Sequence, residues 1–176
     1  MTLPPRGSAA SAADASAAPI RLLFVCLGNI CRSPAAEGVF LHQLDAQNLR
    51  HRFVVDSAGT GGWHVGQPAD ARMLTAAQRR GIHLPSRARQ LEPDDLRSFD
   101  RILTMDAENL AAVRRLERRH GGTALIEPVT RYCRRFQVED VPDPYYGGAD
   151  GFEQVLDLLD DACAGLLLSL RRSGEA

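Results

Sequence analysis

The sequence predicts an α/β fold, a three-layer sandwich with a four-stranded parallel sheet flanked by helices on both faces. Two observations carry this expectation. Short apolar runs alternate with longer stretches of helical periodicity, and strands separated by helices imply right-handed crossovers into a parallel sheet. The first run, Ile20-Arg21-Leu22-Leu23-Phe24-Val25, is also nearly continuous rather than alternating, as a strand buried on both faces requires.

That strand runs directly into Cys26-Leu27-Gly28-Asn29-Ile30-Cys31-Arg32-Ser33. Pro34 then suits the first turn of a helix that continues through Val39, Phe40 and Leu44 to about Leu49. Arg52 to Asp56 is a second strand, closed by Ala58-Gly59-Thr60-Gly61-Gly62. Asp70 to Arg80 reads as a helix that Gly81 ends. Asp100 to Met105 is a third strand, followed by a helix from Ala107 to Arg119 that Gly121-Gly122 breaks. Thr123 to Ile126 is the fourth strand. The stretch from Glu127 to Gly151 has no clear period, and long irregular loops inside compact domains are often functional. Phe152 to Leu170 forms a last amphipathic helix.

A chain of 176 residues supports one compact domain, here 20–172. Residues 1–19, rich in Ala, Ser and Pro, read as a disordered N-terminal extension and lack the apolar segment of a signal peptide. A net charge of −1 gives no strong pull toward nucleic acid or membranes. No apolar run reaches the length of a membrane-spanning helix. All 21 basic residues are arginine, which removes mechanisms that need a lysine amine, a Walker-type phosphate loop among them. The four cysteines, Cys26, Cys31, Cys133 and Cys163, have no metal-ligand spacing, so free thiols in a reducing, cytoplasmic setting are expected. A monomer without metal or cofactor is expected.

Parallel sheets bind ligands at the carboxyl ends of their strands, which is where Cys26 falls. A cysteine six residues before an arginine is weak evidence in an arginine-rich chain. The context strengthens it. A loop between buried strand and helix start turns successive N–H groups inward as an anion nest, and the helix end adds further donors. Gly28 and Asn29 tolerate the positive φ that a tight cradle uses. Arg32 offers two phosphate oxygens a bidentate fork. The same positive field favours the nucleophilic thiolate of Cys26. The bland alternative is a buried cysteine in a turn beside a surface arginine.

Val25 to Pro34, read as Val-Cys-Leu-Gly-Asn-Ile-Cys-Arg-Ser-Pro, resembles the signature loop of the low-molecular-weight protein tyrosine phosphatases. The resemblance continues in order through Val55-Asp56-Ser57-Ala58, Ala88-Arg89-Gln90, Phe99 to Asp106, and Asp143-Pro144-Tyr145-Tyr146-Gly147. It implies hydrolysis of phosphotyrosine in protein substrates through a phosphocysteine intermediate, with no metal. Cys26 would be the nucleophile, and Arg32 would clamp the phosphate with the loop residues Leu27, Gly28, Asn29, Ile30 and Cys31. Asp143, in isolation an ordinary turn former, would be the general acid and then the base. Ser33 would assist the sulfur; read alone it is a helix N-cap, and the two roles are compatible. Asn29 and Ser57 would hold the cradle's shape, with Ser86 standing where many relatives carry histidine. Trp63, Tyr145 and Tyr146 would wall an aromatic slot. Cys31 would form a reversible redox pair with Cys26; read alone it is a packed apolar residue.

Three competing readings are weighed against this. Arsenate reductases reuse the loop but need further cysteines, and none lies between Cys31 and Cys133. Protein-arginine phosphatases typically have threonine at the position of Ile30 and lack the paired tyrosines; this is the runner-up. An idle phosphotyrosine-binding module would have lost Cys26 or Asp143. Gly59-Thr60-Gly61-Gly62-Trp63-His64 begins like a dinucleotide fingerprint, but His64 replaces the last glycine. The arginines at 114, 115, 118 and 119 read as a solvated helix face.

Overall fold

The computed structural model describes residues 17–176, so the extension expected over 1–19 lies almost wholly outside the described residues. Four strands, β1 (Ile20–Cys26), β2 (Phe53–Gly59), β3 (Arg101–Thr104) and β4 (Leu125–Pro128), pair in the order β2-β1-β3-β4. Every pairing is parallel. The helices are α1 (Arg32–Ala46), α2 (Ala71–Arg79), α3 (Asp95–Ser98), α4 (Ala107–His120) and α5 (Ala149–Arg172). This is the three-layer sandwich that the alternation of apolar runs predicts.

The layers follow from β1, whose successive side chains point to opposite faces. Leu22 and Phe24 join the core under α1, α2 and α5, where Phe40, Met73, Phe152 and Leu159 are buried. Leu23 and Val25 join the other core, with Leu96, Ile102, Val113 and Ile126 beneath α3 and α4. Phe40 meets Phe53 edge to face at 5.4 Å and Phe24 at 6.0 Å, which fixes α1 on the first face.

Boundaries shift where capping and packing override local signals. α1 starts at Arg32, which puts Pro34 in its first turn, and the loop after β1 winds straight into it with Cys31 at its N-cap; the helix ends at Ala46 rather than near Leu49. Asp70 caps α2 by accepting the Arg72 N–H at 2.9 Å. β2 extends three residues past Asp56, because its pairing with β1 continues to Cys26 opposite Gly59. The short helix α3 lies in a stretch whose sequence carries no clear helical signal. β4 is displaced two residues along the chain and leads into a 3₁₀ turn at Val129–Tyr132. α5 begins three residues early, at Ala149.

The chain leaves β1 to form β2 on one side and crosses back to form β3 on the other. The crevice beyond the carboxyl ends of β1 and β3 is therefore a switch point, the usual ligand position in such sheets. Among the described residues no helix is long and apolar enough to cross a membrane.

Candidate active site

At that switch point a cleft of about 300 Å³ opens. Cys26, Gly28, Arg32, Trp63, His64 and Asp143 are among its lining residues. Cys26 ends β1 and is buried at its floor. Its Sγ lies 3.0 Å from Ser33 Oγ and accepts the Asn29 backbone N–H at 3.3 Å. The loop's curvature depends on Asn29, whose φ of 55° is left-handed. Gly28 is not in that region; its missing Cβ instead makes room for His64, whose ring carbon would come within 3.1 Å of one. Gly59, at the end of β2, is needed because a Cβ there would meet the Leu27 carbonyl at 2.8 Å. The backbone N–H of Gly61 takes that same carbonyl at 2.9 Å, docking the loop on the chain after β2.

A buried chain of hydroxyls stands behind the loop. Asn29 Nδ2 donates to Ser33 Oγ at 2.8 Å and to Ser57 Oγ at 3.0 Å, while Asn29 Oδ1 accepts the Arg89 N–H at 3.0 Å. Ser57 in turn donates to Glu37 Oε2 at 2.6 Å. Ser86 sits at the margin, its Oγ 3.4 Å from that of Ser57. Ser33 lies inside α1 and turns its hydroxyl to the sulfur rather than capping the helix.

Arg32 is buried, and three groups fix its guanidinium. Its Nη1 donates to Asp106 Oδ2 at 2.6 Å and to the Val141 carbonyl at 3.0 Å, and its Nη2 lies 3.5 Å from Asp143 Oδ2. Asp106 is the N-cap of α4, accepting the Asn109 N–H at 2.7 Å through its other oxygen. Val141 is held by its own N–H on the Met105 carbonyl at 2.7 Å. Asp143 Oδ1 accepts the Tyr145 N–H at 3.1 Å. Around the mouth, Trp63 is 71% exposed and Tyr146 93% exposed, with the Tyr145 ring edge-on to Tyr146 at 4.9 Å.

A family profile described as low molecular weight phosphotyrosine protein phosphatase matches residues 21–176. The chain belongs to that family. It is accordingly a phosphatase. The low molecular weight protein-tyrosine-phosphatase of Streptomyces coelicolor is 41% identical over 157 residues, covering 88% of this chain and 96% of that protein. The crystal structure of a protein tyrosine phosphatase from Entamoeba histolytica superposes with a TM-score of 0.83 at 39% identity, covering 88% of this chain and 99% of that one. The crystal structure of drosophila arginine phosphatase is also similar, with a TM-score of 0.81 and 31% identity over 85% of this chain and 97% of that one.

Within this low-molecular-weight phosphatase, sequence reasoning passes over several residues that build the site. Asp106 was legible only as part of a strand pattern, although an aspartate that follows a parallel strand and caps the next helix stands beside the ligand crevice by construction. Glu37, on α1, gives no local sign of a role in the site. Its carboxyl is buried, which raises its pKa above the usual 4.5; hydrogen bonds from Ser57 and Ser86 oppose the rise only in part. Arg89 locks the segment after the loop by a bidentate grip on Asp95 at 3.0 and 3.1 Å and a bond to Asp56 at 2.9 Å. Cys31 is buried, and its thiol is pushed up to about 12, first by desolvation and then by Asp70, Cys26 and Asp143.

Proposed function

We propose that the chain hydrolyses phosphotyrosine in protein substrates by way of a phosphocysteine. The supporting observation is the convergence of Cys26, Arg32 and Asp143 on one cleft, with the guanidinium 3.5 Å from the Asp143 carboxylate. The Cys26 thiolate attacks phosphorus as the bond to the tyrosine oxygen breaks, and Asp143 gives that oxygen its proton. A phenol's conjugate base leaves poorly at a pKa near 10, so a placed acid lowers the barrier. Water then attacks the phosphocysteine, Asp143 takes its proton, and inorganic phosphate departs as the thiolate reforms. The Ser33 hydroxyl, 3.0 Å from the sulfur, stabilises the thiolate as it leaves. Arg32 and the loop N–H groups of residues 27 to 32 hold the equatorial oxygens, an electrostatic role.

Trp63, Tyr145 and Tyr146 supply the aromatic wall that suits a phenyl ring. In the redox reading, peroxide converts the Cys26 thiolate to a sulfenic acid. The Cys31 thiol displaces its hydroxyl as water, and a disulfide forms.

The test is steady-state hydrolysis of a phosphotyrosine peptide, a phosphoarginine peptide and p-nitrophenyl phosphate, in EDTA. Wild type is expected to favour the tyrosine peptide, and Cys26→Ser to be inactive. Asp143→Ala should lose about 100-fold or more in kcat/KM on the peptide and far less on the nitrophenyl ester, whose leaving group needs little help. A preference for the phosphoarginine peptide would move the assignment to arginine phosphatase.

A further inference from the structure

Arg72 takes no part in the chemistry above, yet it ties three parts of the site together. It lies in the first turn of α2, and its Nε and Nη2 grip the two Asp70 oxygens at 3.0 and 2.9 Å. The remaining arm, Nη1, donates to the Tyr145 carbonyl at 3.0 Å. Its guanidinium also stacks over the Phe152 ring at 4.7 Å and the Tyr145 ring at 5.4 Å. Asp70 is itself fixed to the nucleophile's loop, because its N–H donates to the Ile30 carbonyl at 2.7 Å. On the far side, the N–H of Tyr145 is the group that holds Asp143 Oδ1 at 3.1 Å.

We propose that Asp70 and Arg72 form a strut that sets the position of the Asp143 carboxyl relative to the Cys26 loop, making Arg72 a positioning residue for proton transfer. The inference rests on the reading of Asp143 as the acid. The covalent route is long, since Ile30 and Asp143 are joined only through most of the sheet, whereas the strut spans them in two side chains. Arginine suits the task because its planar fork satisfies a carboxylate and a carbonyl at once while lying flat on two rings. The grip on Asp70 also holds that carboxyl below its usual pKa, chiefly through the Arg72 hydrogen bond, so the strut is ionised throughout the neutral range.

A merely structural ion pair and a strut for the acid predict different things. Loss of a structural pair lowers kcat/KM on every substrate by a common factor, or lowers only the melting temperature. Loss of the strut weakens protonation, so the loss grows as the leaving group worsens. The experiment measures kcat/KM, which reports phosphoryl transfer to Cys26 and not the later hydrolysis common to both substrates, on p-nitrophenyl phosphate and on a phosphotyrosine peptide for wild type, Arg72→Met, Asp143→Ala and the double variant. Arg72→Met is expected to lose about tenfold on the peptide, the scale of a lost charged hydrogen bond, and threefold or less on the nitrophenyl ester. In the Asp143→Ala background it should change the ratio of the two rates no further. Asp70→Asn retains a capping oxygen for α2 and serves as the second variant should Arg72→Met not fold; it should shift the ratio in the same direction. Equal losses on both substrates, or an additive effect in the double variant, overturn the strut alone. An unchanged ratio in Asp143→Ala itself overturns the acid assignment and the strut with it.

Discussion

Asn29 joins backbone strain to chemistry in a single side chain. Its φ of 55° turns the loop, and its amide contacts Ser33, Ser57 and the Arg89 N–H. Asn29→Ala removes bonds to three partners, leaves the Arg89 N–H without its acceptor and loses asparagine's tolerance of the left-handed region. A loss of about 1–3 kcal/mol in unfolding free energy is expected by denaturant titration. The cradle loosens with it, and kcat should fall about 100-fold. Asn29→Gly should recover part of the stability and little of the activity, because glycine restores the φ but not the amide. At this scale the sequence was informative about Asn29, since the loop is contiguous and its residue types announce their backbone needs. It was silent about Glu37 and Asp106. Their roles arise from contacts 20 and 74 positions away, at Ser57 and Arg32, which no local pattern encodes.

Among the elements, the irregular segment between β4 and α5 is the least legible in sequence and carries Asp143. It is ordered from outside. Asp161, buried on α5, accepts the N–H groups of Arg135, Arg134 and Phe136 at 2.8, 2.9 and 3.2 Å through one oxygen. The Thr130 hydroxyl donates to the Glu139 carbonyl at 2.7 Å, and Ala107 donates to Asp140 at 3.1 Å. Burial alone would raise the Asp161 pKa, but the three N–H groups outweigh it and hold the carboxyl below 3.8. A carboxyl depressed in the folded state stabilises it above the unfolded value near 3.8, and that contribution is lost as pH falls through the folded value. Asp161→Asn should therefore lower stability by about 1–3 kcal/mol at pH 7, with the gap closing as the pH falls from 3.8 through the lower folded value. Melting curves across that range check it. The strands and every helix but α3 are legible to within a few residues, because each buries an apolar face with its own period. The anchoring of the loop was not, because a carboxylate on a helix gives no sign of which backbone it will cap.

For the whole molecule, the strand order decides the site. By placing β1 between β2 and β3, the chain brings Cys26, Arg32 and Asp106 to one crevice and returns through a long loop to set Asp143 over it. The first strand and its loop point to this from sequence alone, whereas the meeting of Arg32 with Asp106 and Val141 depends on the crossovers. The central claim is that Cys26 carries the phosphoryl group during turnover. It is tested most directly by acid-quenching the protein within milliseconds of mixing with p-nitrophenyl phosphate and mapping the adduct by mass spectrometry. A phosphoryl group on the peptide that contains Cys26, absent in Cys26→Ser and accompanied by a burst of nitrophenol, is the result expected. Turnover with no adduct on Cys26, or with an adduct on another residue, would contradict the account.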